Sequence, residues 1–382
     1  MKIKLLLTTI ICFFVHIIYS QKNIPVIKST SMRVDIRDGK KLTKQNWTIS
    51  PELNPDVYET SSLGKKVTFI TDKDSISVKI KKDTKFDFII LLNDSLKAKT
   101  RISYKDAPNY LERLKKAAKY NFSDNRFIPN FSYQSSENPN LVKIRQDFKL
   151  DSIAGTGNET SKILNLLHWV HNIIRHDGSS NNPTLRNAID LIKICKTENR
   201  AVNCRMMAII LNECYLSMGI KSRYIVCMPK ETEFDDCHVI NMVYSNEFKK
   251  WIWIDPTFDA YVMNEKGELL GHGEVRERLI KGKTLILNPE ANWNRKNSQT
   301  KEEYLETYMA KNLYRLQTPL VSEYDTETWK KGKEITYVEL LPLDGIEQTP
   351  QNEEKTNTKT GVKFTYYKTN NPNLFWANPT NQ

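Results

Sequence analysis

The chain has 382 residues, a formal net charge of +12, 39% hydrophobic residues and 10% aromatic residues. That apolar content excludes a disordered or fibrous chain, and the length suits two domains or one large one. The basic residues come as scattered pairs, from Lys65-Lys66 to Lys330-Lys331. Scattered pairs read as a solvated surface rather than a nucleic-acid module, and they allow only weak attraction to anionic cell-surface polymers.

Lys2 and Lys4, an apolar run over residues 5–18 and a small-residue break at Tyr19-Ser20-Gln21 read as a secretory signal over residues 1–20. The run is short for a membrane span and no later segment is apolar enough, so the mature chain is expected to be secreted or periplasmic, without a span. Residues 21–105 read as a β-rich domain, a small antiparallel sandwich or sheet, from apolar patterns over 66–69, 75–80 and 86–92 separated by turn residues. A short helix over 107–120 and a proline-bearing linker fill 106–150. The core is expected over 151–345. In it, helices span about 158–175, 184–195 and 204–219, strands span 221–228, 238–244 and 251–255, and a later helix (301–316) and strand (334–340) follow. Residues 346–361 are polar and read as a flexible excursion, and 362–382 as a strand and tail returning to the core.

Six cysteines are present, and five remain once Cys12 leaves with the signal. An odd number in an exported chain leaves at least one thiol unpaired. Cys227 with Cys237, and Cys195 with Cys214, are possible disulfides, and either leaves Cys204 free. Cys204 stands where an irregular segment becomes a helix, so first-turn amides favour its thiolate, the attacking species. His238 begins one strand and Asp255 ends the next. If the hairpin turns symmetrically about Asn246-Glu247, facing residue numbers sum to 493 and 238 faces 255, an acid positioned to hold one imidazole nitrogen and leave the other for the thiol. Each residue alone reads more simply as a core thiol, a core histidine and a turn residue; the three together read as nucleophile, base and orienting group.

The segments 201–208, beginning Ala201-Val202-Asn203-Cys204, then Gly219-Ile220-Lys221-Ser222-Arg223-Tyr224, Cys237-His238-Val239 and Trp253-Ile254-Asp255-Pro256-Thr257 resemble the transglutaminase-like superfamily. The resemblance covers roughly residues 150–290. It implies an α+β, papain-like fold, with the cysteine helix packed on an antiparallel sheet, and a Cys204, His238, Asp255 triad. Cross-linking members often carry Gln-Cys-Trp where this chain has Asn203-Cys204-Arg205, a departure that weakens a cross-linking reading. The Cys204 amide is expected to be one oxyanion donor and Asn203 is the candidate for the other.

The expectation is therefore an exported cysteine hydrolase or acyltransferase, a peptidase or amidase acting on protein or peptide amides through a thioester and needing no cofactor. A protein-glutamine cross-linker with the same triad, and a non-catalytic binding protein that keeps the fold, are the alternatives. Glu231, Glu233, Asp235 and Asp236 read as a solvated loop without calcium-loop spacing. His168, His171 and His176 read as polar-face histidines, because spacing supplies no third metal ligand.

Overall fold

The computed structural model describes residues 24–39, 41–106, 109–117, 119–230, 236–343 and 351–379. The expected leader (1–20), most of the acidic loop (231–235) and residues 344–350 lie outside them. The chain divides after residue 108 into two units.

The first unit is built of β1 (Val26–Ser29), β2 (Arg33–Asp38), β3 (Lys41–Thr48), β4 (Asp56–Thr60), β5 (Lys66–Ile70), β6 (Ser75–Lys79), β7 (Lys85–Leu92) and β8 (Leu96–Tyr104). They form two four-stranded sheets, ordered β1-β7-β8-β4 and β3-β2-β5-β6. Alternating residues such as Val34, Val67, Phe69, Phe88, Ile90 and Ile102 make up the core. Unlike the antiparallel arrangement expected, β1 runs parallel to β7 and β4 parallel to β8. Strands of the other sheet separate these partners in sequence, so no short hairpin forces them antiparallel.

In the second unit, α1 (Tyr110–Lys115) is shorter than expected. The stretch read as linker holds α2 (Pro139–Asp147), and α3 (Leu150–Ala154) begins at its end. Pro139 is a start signal here rather than a break. It occupies the first turn, where its missing N–H costs nothing, while Asn138 Oδ1 caps by accepting from Asn140 N at 3.0 Å. Next come α4 (Glu159–Ile173), α5 (Ala188–Thr197) and α6 (Cys204–Ser217), capped by Asn158, Asn187 and Asn203. The sheet strands are β9 (Ser222–Met228), β10 (His238–Ser245), β11 (Lys250–Ile254), β12 (Arg315–Pro319), β13 (Glu334–Leu340), β14 (Glu353–Thr356) and β15 (Lys363–Thr369). They form one seven-stranded sheet ordered β11-β10-β9-β12-β13-β15-β14. β14 lies in the polar excursion expected to be flexible; its backbone is tied instead by antiparallel pairing with β15.

The sheet is covered on both faces. Val226, Val239, Val243, Ile252 and Ile254 pack with α4 and α6. The alternate residues Ile225, Cys227, Ile240, Met242, Trp251 and Trp253 pack with α7 (His272–Lys281) and the segment after it. The helix expected over 301–316 is a π-helix over Glu302–Met309, then a short α-helix (Ala310–Asn312), before β12 begins.

The hairpin register differs from expectation. Asn241 faces Ile254 and Ser245 faces Lys250, so facing numbers sum to 495. The turn spans residues 246–249, with Lys249 in the left-handed region (φ 53°). The Glu159 carboxylate fixes that turn, accepting from Asn246 N (3.1 Å), Glu247 N (2.9 Å) and Ser245 Oγ (2.8 Å). A shift of two leaves side-chain parity unchanged. His238 and Asp255 therefore share a face as diagonal neighbours rather than as a facing pair.

Candidate active site

Cys204 is the first residue of α6 and is half-buried. The helix is fixed to the sheet through Asn241, whose Nδ2 donates to Ala208 O at 2.9 Å. Arg205 is held from behind by the buried Glu327 carboxylate (3.1 Å), which also accepts from the Tyr224 and Tyr337 hydroxyls. Anchoring on both sides gives the sulfur a defined position at the helix start, where backbone amides converge.

His238 is buried at the start of β10. Its Nε2–H donates to Asp255 Oδ2 at 2.7 Å. A carboxylate only accepts, so this contact places the ring proton on Nε2 and leaves Nδ1 bare. Nδ1 has no hydrogen bond of standard geometry, and the ring lies within interaction range of Cys204. Asp255 is itself over-determined. Oδ2 also accepts from the Tyr304 hydroxyl (2.6 Å), and Oδ1 accepts from Thr257 N (2.8 Å) and Phe258 N (3.4 Å). Trp253 Nε1 donates to Tyr304 Oη at 3.1 Å. Phe258 and Tyr308 stand 5.6 and 5.1 Å from the His238 ring and wall it from solvent.

The sequence did not single out a second imidazole at the sulfur. His176 lies just beyond α4 and pairs in a parallel bridge with Val202, two residues before Cys204. The Asn294 side chain holds its backbone on both sides, accepting from His176 N at 2.7 Å and donating to His176 O at 2.9 Å. Trp293 Nε1–H donates to His176 Nδ1 at 3.0 Å. Indole N–H only donates, so Nδ1 must be the bare nitrogen and Nε2 carries the proton of the neutral ring. His176 and His238 are thus fixed in the same tautomer, protonated on Nε2, but by partners on opposite ring nitrogens. His238 presents an acceptor, and His176 has a donor left over for its contact with Cys204. Nothing in the spacing announced His176, because its helpers come from residues 293 and 294.

The electrostatics follow. Burial pushes the Cys204 thiol up, but the neighbouring His176 and His238 rings favour its thiolate, more than reverse this and bring it to about 6. Burial lowers His238, while the charge and hydrogen bond of Asp255 raise it to about 10. Both shifts favour a thiolate beside an imidazolium. Cys195, by contrast, is pushed up to about 11 by burial, and Cys214, Cys227 and Cys237 are raised by the same cause.

All five cysteines among the described residues are free thiols. The pairing entertained for Cys227 and Cys237 fails on geometry. Cys227 faces His238 across the ladder, so Cys237 belongs to the opposite parity. Asn203 is not placed to serve an oxyanion. Its Oδ1 caps α6 by accepting from Met206 N (3.2 Å), and its Nδ2 donates to Asn182 Oδ1 (2.7 Å) and Ser180 O (3.3 Å). His168 bonds Asp259 (2.7 Å), and His171 bonds Pro256 O (3.0 Å) and Asn292 Oδ1 (3.1 Å). These two are braces for the segment after Asp255. Of the acidic loop, Asp236 pairs with Lys311.

Residues 146–256 match the family model of the transglutaminase-like superfamily. Among solved structures, a protein from Cytophaga hutchinsonii provisionally assigned as a cysteine protease is 23% identical, over 30% of this chain and 37% of its own, with a TM-score of 0.25. Red sea bream transglutaminase is 10% identical, over 66% of this chain and 52% of its own, with a TM-score of 0.24. The chain thus spans about a third to a half of the structures it matches. No curated protein sequence matches it significantly.

Proposed function

We propose, taking residues 146–256 as transglutaminase-like, that this chain is a cysteine acyl-transfer enzyme, a peptidase or amidase working on protein or peptide amides outside the cytoplasm. The observation that carries the reading is the Cys204 sulfur set beside two pinned imidazoles, His238 with its bare Nδ1 unengaged and His176 with its Nε2–H unengaged.

Cys204 thiolate attacks the amide carbonyl. The His238 imidazolium, holding its second proton on Nδ1, gives that proton to the departing amine, and a thioester remains. Water entering with the then-neutral ring as base releases the acid and restores thiolate and imidazolium. Asp255 keeps the ring in the required tautomer throughout. His176 Nε2–H supplies a donor beside the sulfur where the tetrahedral oxyanion develops, the role Asn203 cannot take. Export rests on the leader read in residues 1–20.

The pH dependence tests the ion pair. Thiolate appears as pH rises through the lowered Cys204 value near 6, and imidazolium is lost as pH rises through the raised His238 value near 10. Inactivation by iodoacetamide should therefore titrate in with a midpoint near 6, and turnover should fall again toward 10. A midpoint near the ordinary thiol value of about 8.5 would remove the ion pair from the scheme.

His176→Leu should lower kcat by roughly 10²–10³, the usual loss for one oxyanion donor, with KM little changed. Trp293→Phe leaves the imidazole but unlocks its tautomer, so a smaller loss of about tenfold is expected, corresponding to one hydrogen bond. Equal losses in both variants would mean the ring merely packs. Substrate class comes from a proteomic screen with wild type beside Cys204→Ala. Ammonia release with amine incorporation, against peptide-bond cleavage, identifies the acceptor.

A further inference from the structure

On the opposite side of the sheet from α6, against α7, lies a cleft of about 830 Å³, within the size range of small-molecule sites. Trp251, Trp376 and Ile280 give it apolar walls, and Tyr120, His272 and Arg276 also line it. Three of its polar groups are buried without partners: Arg276 Nη2, the Tyr120 hydroxyl and both ring nitrogens of His272. Native interiors rarely leave such atoms unpaired, so their convergence on one cavity points to something that completes them.

Arg276 determines what that is. The residue is 6% exposed, and Nε donates to Leu313 O at 2.9 Å. The guanidinium lies 4.6 Å over the Tyr120 ring, and no carboxylate pairs with it among the described residues. A buried guanidinium without an anion is costly, and its planar fork fits a carboxylate. The charge around it agrees: the lining carries five cations against two carboxylates, an excess of three positive charges. His272, 1% exposed, is stacked between Trp253 (4.6 Å, 27°) and Trp376 (5.8 Å, 21°), which extends a flat aromatic surface to the cleft. Burial depresses its imidazole to about 3, so it stays neutral and adds no competing charge.

We propose that this cleft binds a small aromatic carboxylate, the acid group on Arg276 and the Tyr120 hydroxyl and the ring against the Trp376 wall. The site is independent of the Cys204 reading, so either can fail alone.

The test is calorimetric titration of the full chain with three probes of one shape: indole-3-propionate, its primary amide and tryptamine. The anion should bind 1:1 with Kd below about 1 mM, and the amide and the cation at least tenfold more weakly. Arg276→Gln should weaken the anion at least tenfold. Tyr120→Phe, which removes one oxygen and leaves the ring under the guanidinium, should weaken it about threefold to tenfold with an unchanged melting temperature. If Arg276→Gln does not fold, Tyr120→Phe decides. No saturable binding, equal binding of the three probes, or full affinity in a folded variant would each overturn the proposal. Prior alkylation of Cys204 should leave the titration unchanged.

Discussion

Cys204→Ala is expected to abolish thioester chemistry, with turnover falling by at least about 10⁴ and only binding and oxyanion contributions remaining. Labelling should vanish with it. At pH 6.5 the lowered Cys204 thiol is largely thiolate, while burial holds the other four thiols up. One equivalent of iodoacetamide should therefore enter wild type, about a hundredfold faster than a free thiol of ordinary pKa, and none should enter the variant. Mass mapping of the adduct reads this without a known substrate. An adduct on Cys237 at comparable rate would show that the depressed pKa at Cys204 does not operate.

Asp255→Asn should cost nearly as much, roughly 10³–10⁴ in kcat, through a proton rather than a missing atom. The backbone N–H groups of Thr257 and Phe258 both point at Oδ1, so an asparagine there must keep its carbonyl oxygen in that position. Its NH₂ then falls where Oδ2 stood, against His238 Nε2 and the Tyr304 hydroxyl. A donor facing Nε2 expels the proton from it and sends the neutral ring's hydrogen to Nδ1, the nitrogen that must be bare to ionise the thiol. The Cys204 midpoint should drift from about 6 toward about 8.5, visible in the alkylation rate against pH. A variant that folds normally and keeps the wild-type midpoint would show that the carboxylate does not set the tautomer.

What the sequence disclosed and what it withheld separate on locality. The α6 start at Cys204 was legible because a cap, an apolar stripe and a stop signal lie within one short stretch. β10 and β11 were legible as adjacent apolar strands, and parity was enough to put His238 and Asp255 on one face even though the pairing was off by two. His176 was not legible, because what makes it more than a polar-face histidine is an indole and an amide more than a hundred residues away. Asn203 shows a strong local rule at work: helix capping engages the side chain that the sequence reading offered to an oxyanion. The π-helix at Glu302–Met309 has an α-like apolar pattern, so periodicity alone could not reveal that Tyr304 and Tyr308 both reach the site.

The bend at residues 246–249 also sets which side of the sheet the Asp255 carboxylate takes. A slip of the pairing by two residues moves Asp255 along its neighbour and keeps acid and ring on the same side. A slip of the pairing by one residue turns the carboxylate to the far side, away from the ring. The parity of this pairing therefore bears on the site independently of the identity of any residue in the bend.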